Sequence, residues 1–245
     1  MKKSEKIIST NISVINFNDV LNLIKNWVNQ KESKYVCICN THSVVTASND
    51  KHFKEALETA DLCTADGMPL VWVLKHRGHK NQDRVDGPNL MKNLCEFENY
   101  RVFLYGSKKE TLDKLEKELK ILNKGLEIVG KISPPFRELE NNEEREFIHQ
   151  INSTNPDLIF VGLGCPKQEI WMYKNRNNIN GVMIGVGAAF DYLTGNIKRA
   201  PLFIQRIGLE WLFRLIQDPK RLWKRYLYNN TMFVLKIYWK RVSQK

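Results

Sequence analysis

Nowhere does the chain hold a run of about eighteen uncharged apolar residues, the length that crosses a bilayer, so no transmembrane helix is expected. Its first residues, MKKSEKIISTNISVINFND, are basic but show neither an apolar core nor a cleavage site, and a signal peptide is not expected either. C-x-x-C spacing is missing as well. The five cysteines (Cys37, Cys39, Cys63, Cys95 and Cys165) are odd in number and fit reduced thiols better than a disulfide framework or a zinc site. There is no D-x-D, so a carboxylate-held Mg2+ or Mn2+ clamp on a diphosphate is not indicated, and no metal or other cofactor is expected. H-E-x-x-H, G-x-S-x-G and a Walker A loop are equally missing. Two glycine pairs lack the third glycine of G-x-G-x-x-G: Lys167 stands after Gly162 and Gly164, and Phe190 after Gly185 and Gly187. That speaks against NAD or FAD, though not against a nucleotide. No internal repeat and no low-complexity linker occurs.

Acids are nearly missing from the C-terminal part. Residues 198–245 hold twelve Lys and Arg against Glu210 and Asp218, a net +10 of the chain's +11. Residues 1–197 are therefore almost neutral, and the chain is expected to divide into an α/β core over 1–197 and a basic helical appendage over 198–245. In the appendage, Phe203, Ile204, Ile207, Leu209, Trp211, Leu212, Leu215 and Ile216 predict a helix with a broad apolar face, broken by Pro219. Arg221–Val242 then interleaves Trp223, Tyr226, Leu227, Phe233, Tyr238 and Trp239 with bases. Basic, aromatic-rich amphipathic helices suit an anionic membrane surface. The alternative is a helical cap docked on the core with its basic face in water. The two readings are compatible along different parts of the tail, and the membrane reading is the favoured one.

The core is organised around residues 157–201. Two short apolar runs, Leu158–Val161 and Val182–Val186, each end in glycines and lead into a segment with helical character. Such runs read as buried strands. Glycines at their ends admit a ligand close to backbone N–H groups, and a helix N-terminus beyond favours an anion. A glycine after a strand is, as often, only a turn. Further strands are expected over Tyr35–Cys39, Leu62–Ala65, Arg101–Tyr105 and Leu126–Val129, with a weak one over Ile7–Val14. Helices are expected over Asp19–Val28, capped by Asn18, over Ser43–Thr59 with a break near Asn49-Asp50, and over Met68–Lys75, Pro88–Glu96, Lys108–Leu122 and Asn142–Ile151. Alternating strands and helices predict a mostly parallel sheet covered on both faces. Ligands bind outside the C-terminal ends of such strands. Asn40, Asp66, Gly106, Gly162 and Gly187 all stand at those ends and are expected to converge on one crevice.

Each candidate has a plain structural reading beside its chemical one. Asp66 follows a strand and precedes a helix, where an N-cap Asp belongs; at the mouth of a crevice the same carboxylate can take a proton from a hydroxyl. Asn40 is a turn residue or a ligand contact. Arg84 is a solvated loop charge or a partner for a phosphate. Gln168 bonds a sugar or faces water, and His42 is a satisfied, partly buried residue. Read in this way, the residues reach an α/β nucleotide- or anion-binding enzyme and name no reaction.

A set of motifs carries more. Thr64-Ala65-Asp66-Gly67-Met68-Pro69, Arg84-Val85-Asp86-Gly87-Pro88, Ser133-Pro134-Pro135-Phe136-Arg137, Val161-Gly162-Leu163-Gly164-Cys165-Pro166-Lys167-Gln168-Glu169, Gly185-Val186-Gly187-Ala188-Ala189-Phe190-Asp191, Lys198-Arg199-Ala200-Pro201 and Gly208-Leu209-Glu210-Trp211 occur in this order. Together they resemble the WecG/TagA/CpsF glycosyltransferases (glycosyltransferase family 26), from about Ile7 to the tail. The resemblance implies a Rossmann-like core of the type called GT-E. It also implies an inverting, metal-independent transfer of a sugar from a UDP-sugar to a polyprenyl-diphosphate-linked saccharide. The basic appendage would target the membrane and help complete the site. By the same resemblance Asp66 is the catalytic base, and Asn40, Arg84 and Gln168 are polar active-site positions. Arg214, Arg221 and Arg225 match, more loosely, appendage arginines facing the diphosphate. Thr41, Gly106, Gly162 and Gly187 complete the expected substrate-binding set.

Two departures from the teichoic-acid branch stand out: Ile38 where that branch has Thr, and Met68-Pro69 after Asp-Gly where it has a small residue and Gly. They weigh against an N-acetylmannosamine donor and towards a capsule or exopolysaccharide branch using a hexose or uronic acid. The expected place is the cytoplasm, peripheral on the inner face of the membrane. The oligomeric state is open, a homo-oligomer included. A competing class, a basic nucleic-acid- or membrane-binding protein without transferase activity, is opposed by the near-neutral core and the aromatic-rich tail. No nucleic-acid partner is expected. A nucleotide-dependent oxidoreductase is opposed by the missing third glycines.

Overall fold

The computed structural model describes residues 3–242. A hairpin comes first: β1 (Ser4–Ile7) and β2 (Thr10–Ser13) pair antiparallel as a sheet of their own. One strand was predicted over Ile7–Val14. Instead the chain turns at Ile8, whose φ is 56°, and buries Ile7 and Ile12 from opposite strands. α1 (Phe17–Asn29) is capped by Asn16, whose side chain accepts from the Asp19 amide, and not by Asn18.

Strands and helices then alternate: β3 (Lys34–Cys39), α2 (Thr41–Ala47), α3 (Lys51–Glu58), β4 (Leu62–Ala65), α4 (Met68–His76), α5 (Gly87–Phe97), β5 (Arg101–Gly106), α6 (Lys109–Leu122), β6 (Glu127–Ile132), α7 (Asn141–Ser153), β7 (Leu158–Gly162), α8 (Lys167–Asn175), β8 (Val182–Gly185) and α9 (Ala189–Leu193). The break expected near Asn49-Asp50 is there, with Asp50 capping α3 through the Phe53 amide.

Six strands form one sheet in the order β4-β3-β8-β7-β5-β6, every neighbouring pair parallel. The period of two along each strand feeds two apolar layers. Val36 and Ile38 join Leu104, Phe160 and Ile184 on one face. Tyr35, Cys37 and Cys39 join Tyr105, Val161 and Met183 on the other. β4 lies outside β3 and β6 outside β5, while β7 and β8 fill the middle. The chain therefore leaves the sheet in opposite directions on either side of the centre, and a crevice opens above the C-terminal ends there.

Beyond the core come α10 (Leu202–Arg206), α11 (Glu210–Gln217) and α12 (Pro219–Val242). The single helix expected before Pro219 is two, interrupted where Gly208 takes φ +76° between them. A Cβ on Gly208 would also lie 2.7 Å from the Trp72 ring. Pro219 opens α12, where its missing N–H costs nothing. α12 lies along α2: Thr41 Oγ1 donates to Asn230 Oδ1 at 3.2 Å, and Lys236 Nζ to Ser48 Oγ at 2.8 Å. Leu222 and Phe233 are buried, whereas Leu227, Val234, Tyr238 and Trp239 remain exposed. Lys245, counted above among the tail's bases, lies outside the described residues. Among those residues no helix is long and apolar enough to cross a membrane.

Candidate active site

Two cavities meet above the sheet. The smaller, about 140 Å3, has Asn40, Asp66 and Arg84 in its wall, with Trp211, Arg214 and Arg225 from α11 and α12 opposite. The larger, about 560 Å3, follows the strand ends at Gly162, Gly164, Gly185 and Gly187. Asn40, Asp66, Pro88, Tyr192, Arg214 and Arg225 line both, so the two form one continuous space.

Asp66 is fixed by its backbone: its amide donates to the Cys39 carbonyl at 2.8 Å, anchoring it beside the end of β3. The capping role open to it from sequence is not the one it has. The N-cap of α4 is Gly67, and no side chain caps that helix. The Asp66 carboxylate instead meets Arg84, with Oδ1 accepting from Nη2 at 2.9 Å and from Nε at 3.1 Å. Arg84 Nη2 also lies 2.6 Å from Glu210 Oε2 on α11. Arg199 continues the chain of alternating charges, reaching Asp86 Oδ1 at 2.5 Å and Glu210 Oε1 at 3.8 Å. Asp86 in turn caps α5 through the Asn89 amide. Burial pushes the Asp66 carboxyl up to about 6; Arg84 opposes the shift, and Asp86 and Glu210 add to it. Burial works against the Arg84 charge, but Asp66 and Glu210 more than offset it and hold the guanidinium protonated.

Asn40 caps α2: Oδ1 accepts from the Ser43 amide at 3.2 Å and Ser43 Oγ answers to the Asn40 amide. Thr41 lines the smaller cavity, with its hydroxyl committed to Asn230 of α12. Gln168 is buried. Its Oε1 accepts from the Gly164 amide at 3.1 Å and its Nε2 donates to Glu169 at 2.9 Å, so it pins the glycine loop while lining the crevice. Gly162 and Gly187 line the crevice as expected. Gly106 serves differently. Its φ is +117°, and a Cβ there would lie 2.6 Å from the Gly162 carbonyl carbon, so it keeps β5 close to β7 beneath the crevice.

All three appendage arginines border the crevice. Arg214 lies over the Tyr192 ring at 5.5 Å. The Nε atoms of Arg214 and Arg225 are buried without a hydrogen-bond partner. Burial lowers the Arg225 pKa, as do neighbouring Arg214 and Arg221. Arg221 sits on the rim, exposed, paired with Asp218 at 2.5 Å. His42, also in the smaller cavity, is pushed down to about 4 by burial and by Arg225, and contacts Thr46 Oγ1 through Nδ1 at 3.2 Å.

Four charged residues of the site, Asp86, Glu169, Arg199 and Glu210, had no role assigned from sequence and were visible only within motifs. Glu169 is buried, lines the crevice and is pushed up to about 7 by that burial. The alternation of acids and bases among Asp66, Arg84, Glu210, Arg199 and Asp86 is made by the fold and is not legible along the chain. Among the described residues no three His, Cys, Asp or Glu side chains gather as a metal site.

A profile described as the glycosyl transferase WecG/TagA/CpsF family matches residues 5–245. Two similar proteins are both named N-acetylglucosaminyldiphosphoundecaprenol N-acetyl-beta-D-mannosaminyltransferase. The one from Bacillus spizizenii (strain ATCC 23059 / NRRL B-14472 / W23) is 32% identical over 212 residues, which cover 85% of this chain and 80% of that protein. The one from Bacillus subtilis (strain 168) is 30% identical over 221 residues, covering 89% and 83%. The parallel α/β fold, the strand-end crevice and these relatives define a glycosyltransferase. Within that class the chain belongs to the WecG/TagA/CpsF family.

Proposed function

We propose that this enzyme moves a sugar from a UDP-sugar to a saccharide carried on polyprenyl diphosphate, with inversion and without a metal, in the synthesis of a bacterial cell-surface polymer. The observation that carries the reading is the position of Asp66. Its carboxylate lies where a small chamber meets an arginine-bordered crevice, and its pKa of about 6 leaves it mostly ionised at neutral pH. The names of the Bacillus relatives supply the acceptor type, a GlcNAc carried on undecaprenol diphosphate.

The chemistry follows from the residues. An acceptor hydroxyl in the chamber gives its proton to Asp66 as its oxygen bonds to the donor's anomeric carbon. The bond from that carbon to the UDP oxygen breaks with it, and the single displacement inverts the centre. The electron pair leaves on the diphosphate. Arg214 and Arg225, with Arg221 at the rim, are the cations that meet this charge, in a low-dielectric setting where such donors act strongly. Arg84 holds Asp66 in place. The exposed apolar side chains and the bases of α10 to α12 suit a peripheral position on an anionic membrane, where the acceptor lipid lies.

The test is direct assay of UDP release and of a lipid-linked product, with a panel of UDP-sugars offered beside a GlcNAc-diphosphate-lipid acceptor. Transfer from one of them supports the reaction, and the sugar accepted decides between N-acetylmannosamine and a hexose or uronic acid. Ile38 and Met68-Pro69 favour the latter. Absence of transfer from every donor, with the protein folded, would overturn the reading.

A further inference from the structure

A third cavity, of about 600 Å3, runs between α4 and α12. Its walls are mostly apolar: Trp72 and Val73 on one side, Phe233, Val234 and Ile237 on the other, with Trp211 shared with the chamber; His76 and Arg77 also line it, the Arg77 guanidinium held by Glu5 and the Lys6 carbonyl. Thr41, Pro69, Trp211 and Asn230 line both this groove and the chamber of Asp66. The chamber therefore borders both the arginine-lined crevice and an apolar groove of a size that holds a sizeable organic ligand, with the Thr41–Asn230 hydrogen bond standing between chamber and groove.

We propose that this groove takes the first isoprene units of the acceptor lipid. The inference rests on the reading above, that the acceptor is a polyprenyl diphosphate. An acceptor sugar whose hydroxyl reaches Asp66 must lead its lipid out of the chamber. Through the crevice, hydrocarbon would strip water from Arg214, Arg221 and Arg225 and compete with the nucleotide. Through the groove it meets indole and aliphatic surface, where removal of apolar area from water is favourable. Thr41 and Asn230, polar but uncharged, mark the junction where the head group gives way to hydrocarbon. Beside the groove, Trp72 is 49% exposed and abuts Gly208 of the chamber wall, next to exposed Ile207, with exposed Leu202 and Phe203 in the adjoining helix.

The experiment measures binding of geranyl, farnesyl and longer polyprenyl diphosphates to the full chain by calorimetry, with UDP binding measured separately. Wild-type affinity is expected to rise with chain length until the groove is filled, by up to about fourfold per buried methylene. Val234→Asp places a charge in the groove wall at a residue already 65% exposed, so the fold should tolerate it. It should flatten the length dependence and raise KM tenfold or more for a long-chain acceptor. UDP affinity and transfer to an acceptor too short to enter the groove should stay at wild-type values. Length dependence that survives in Val234→Asp overturns the proposal, as does equal loss on long and short acceptors, which would make the position structural. Length-dependent binding abolished by Val234→Asp in a protein that transfers to no acceptor supports the groove and sinks the reaction instead.

Discussion

Asp66→Asn, followed across pH, separates a catalytic base from a buried ion-pair partner. The carboxyl moves from an ordinary 3.8 to about 6. At roughly 1.4 kcal/mol per unit, that is about 3 kcal/mol against the charged form. Burial is the largest cause, with Asp86 and Glu210 adding to it and Arg84 returning part. For catalysis the sign is simple: a base works deprotonated, so kcat/KM of the wild type should be flat near neutrality and fall about tenfold per pH unit below about 6. For stability the sign is opposite to that of a salt-bridged carboxylate. The folded state binds this proton more tightly than the unfolded chain, so the group's contribution to stability grows as pH falls from about 6 towards 4 and is lost as pH rises through that window. Asp66→Asn should therefore flatten the stability profile between those pH values. It should cost roughly 10^2- to 10^4-fold in kcat while leaving UDP affinity by calorimetry nearly unchanged. One rival titrates nearby: Glu169, buried in the crevice wall and raised to about 7. Glu169→Gln should keep the acid limb near 6. If the limb disappears in Glu169→Gln, or if Asp66→Asn turns over at the wild-type rate, Asp66 is not the base.

Activity should survive EDTA, because the crevice offers arginines and no cluster of metal ligands among the described residues; loss with EDTA and rescue by Mn2+ would refute this. Gly106→Ala should destabilise by about 2–4 kcal/mol, read as a lower denaturant midpoint, since its Cβ would press on Gly162 backbone at a φ of +117°. An unchanged midpoint would mean the two strands can separate freely. Deletion after Gln205 should lower the melting temperature by exposing what Leu222 and Phe233 cover, and release the protein from anionic liposomes, where each Lys or Arg contributes roughly 1 kcal/mol. It should also slow transfer to a short soluble acceptor, because Arg214, Arg221 and Arg225 leave with the tail. Full activity there would remove the arginines from the mechanism.

Much of the core could be read along the chain because its signals are local. Leu62–Ala65 is an apolar run whose neighbours end it, and the strand found has those bounds. The break at Asn49-Asp50 is written by a capping residue. What escaped depends on partners far away or on a single dihedral. Ile8 turns a strand into a hairpin through a left-handed conformation that no pattern of hydrophobicity shows. Gly208 splits a helix because the chain must turn against Trp72, more than a hundred residues earlier. In the site, Asp66 was visible at its strand end, but whether it capped a helix or faced a ligand turned on where Arg84 and Glu210 fold. Glu169 looks like an ordinary first-turn acid of a helix, and only the packing around α8 makes it a buried carboxyl.

Docked cap and membrane anchor, the two readings of the tail, concern different faces of the same helices, and the anchor is the proposed one. The inward face is tied to the chemistry by charge: Glu210 of α11 shares Arg84 with Asp66, and Arg214 and Arg225 border both cavities. The Thr41–Asn230 and Lys236–Ser48 bonds hold α12 on α2, the helix that Asn40 caps. The outward face leaves Ile216, Leu227, Leu235 and Tyr238 exposed, a cost that docking on the core does nothing to recover. The membrane position proposed above would recover it. Because α11 contributes both the Glu210 carboxylate that raises the Asp66 pKa and the Arg214 guanidinium at the crevice, a shift of that helix on a membrane would, in the mechanism proposed above, change base strength and leaving-group stabilisation together.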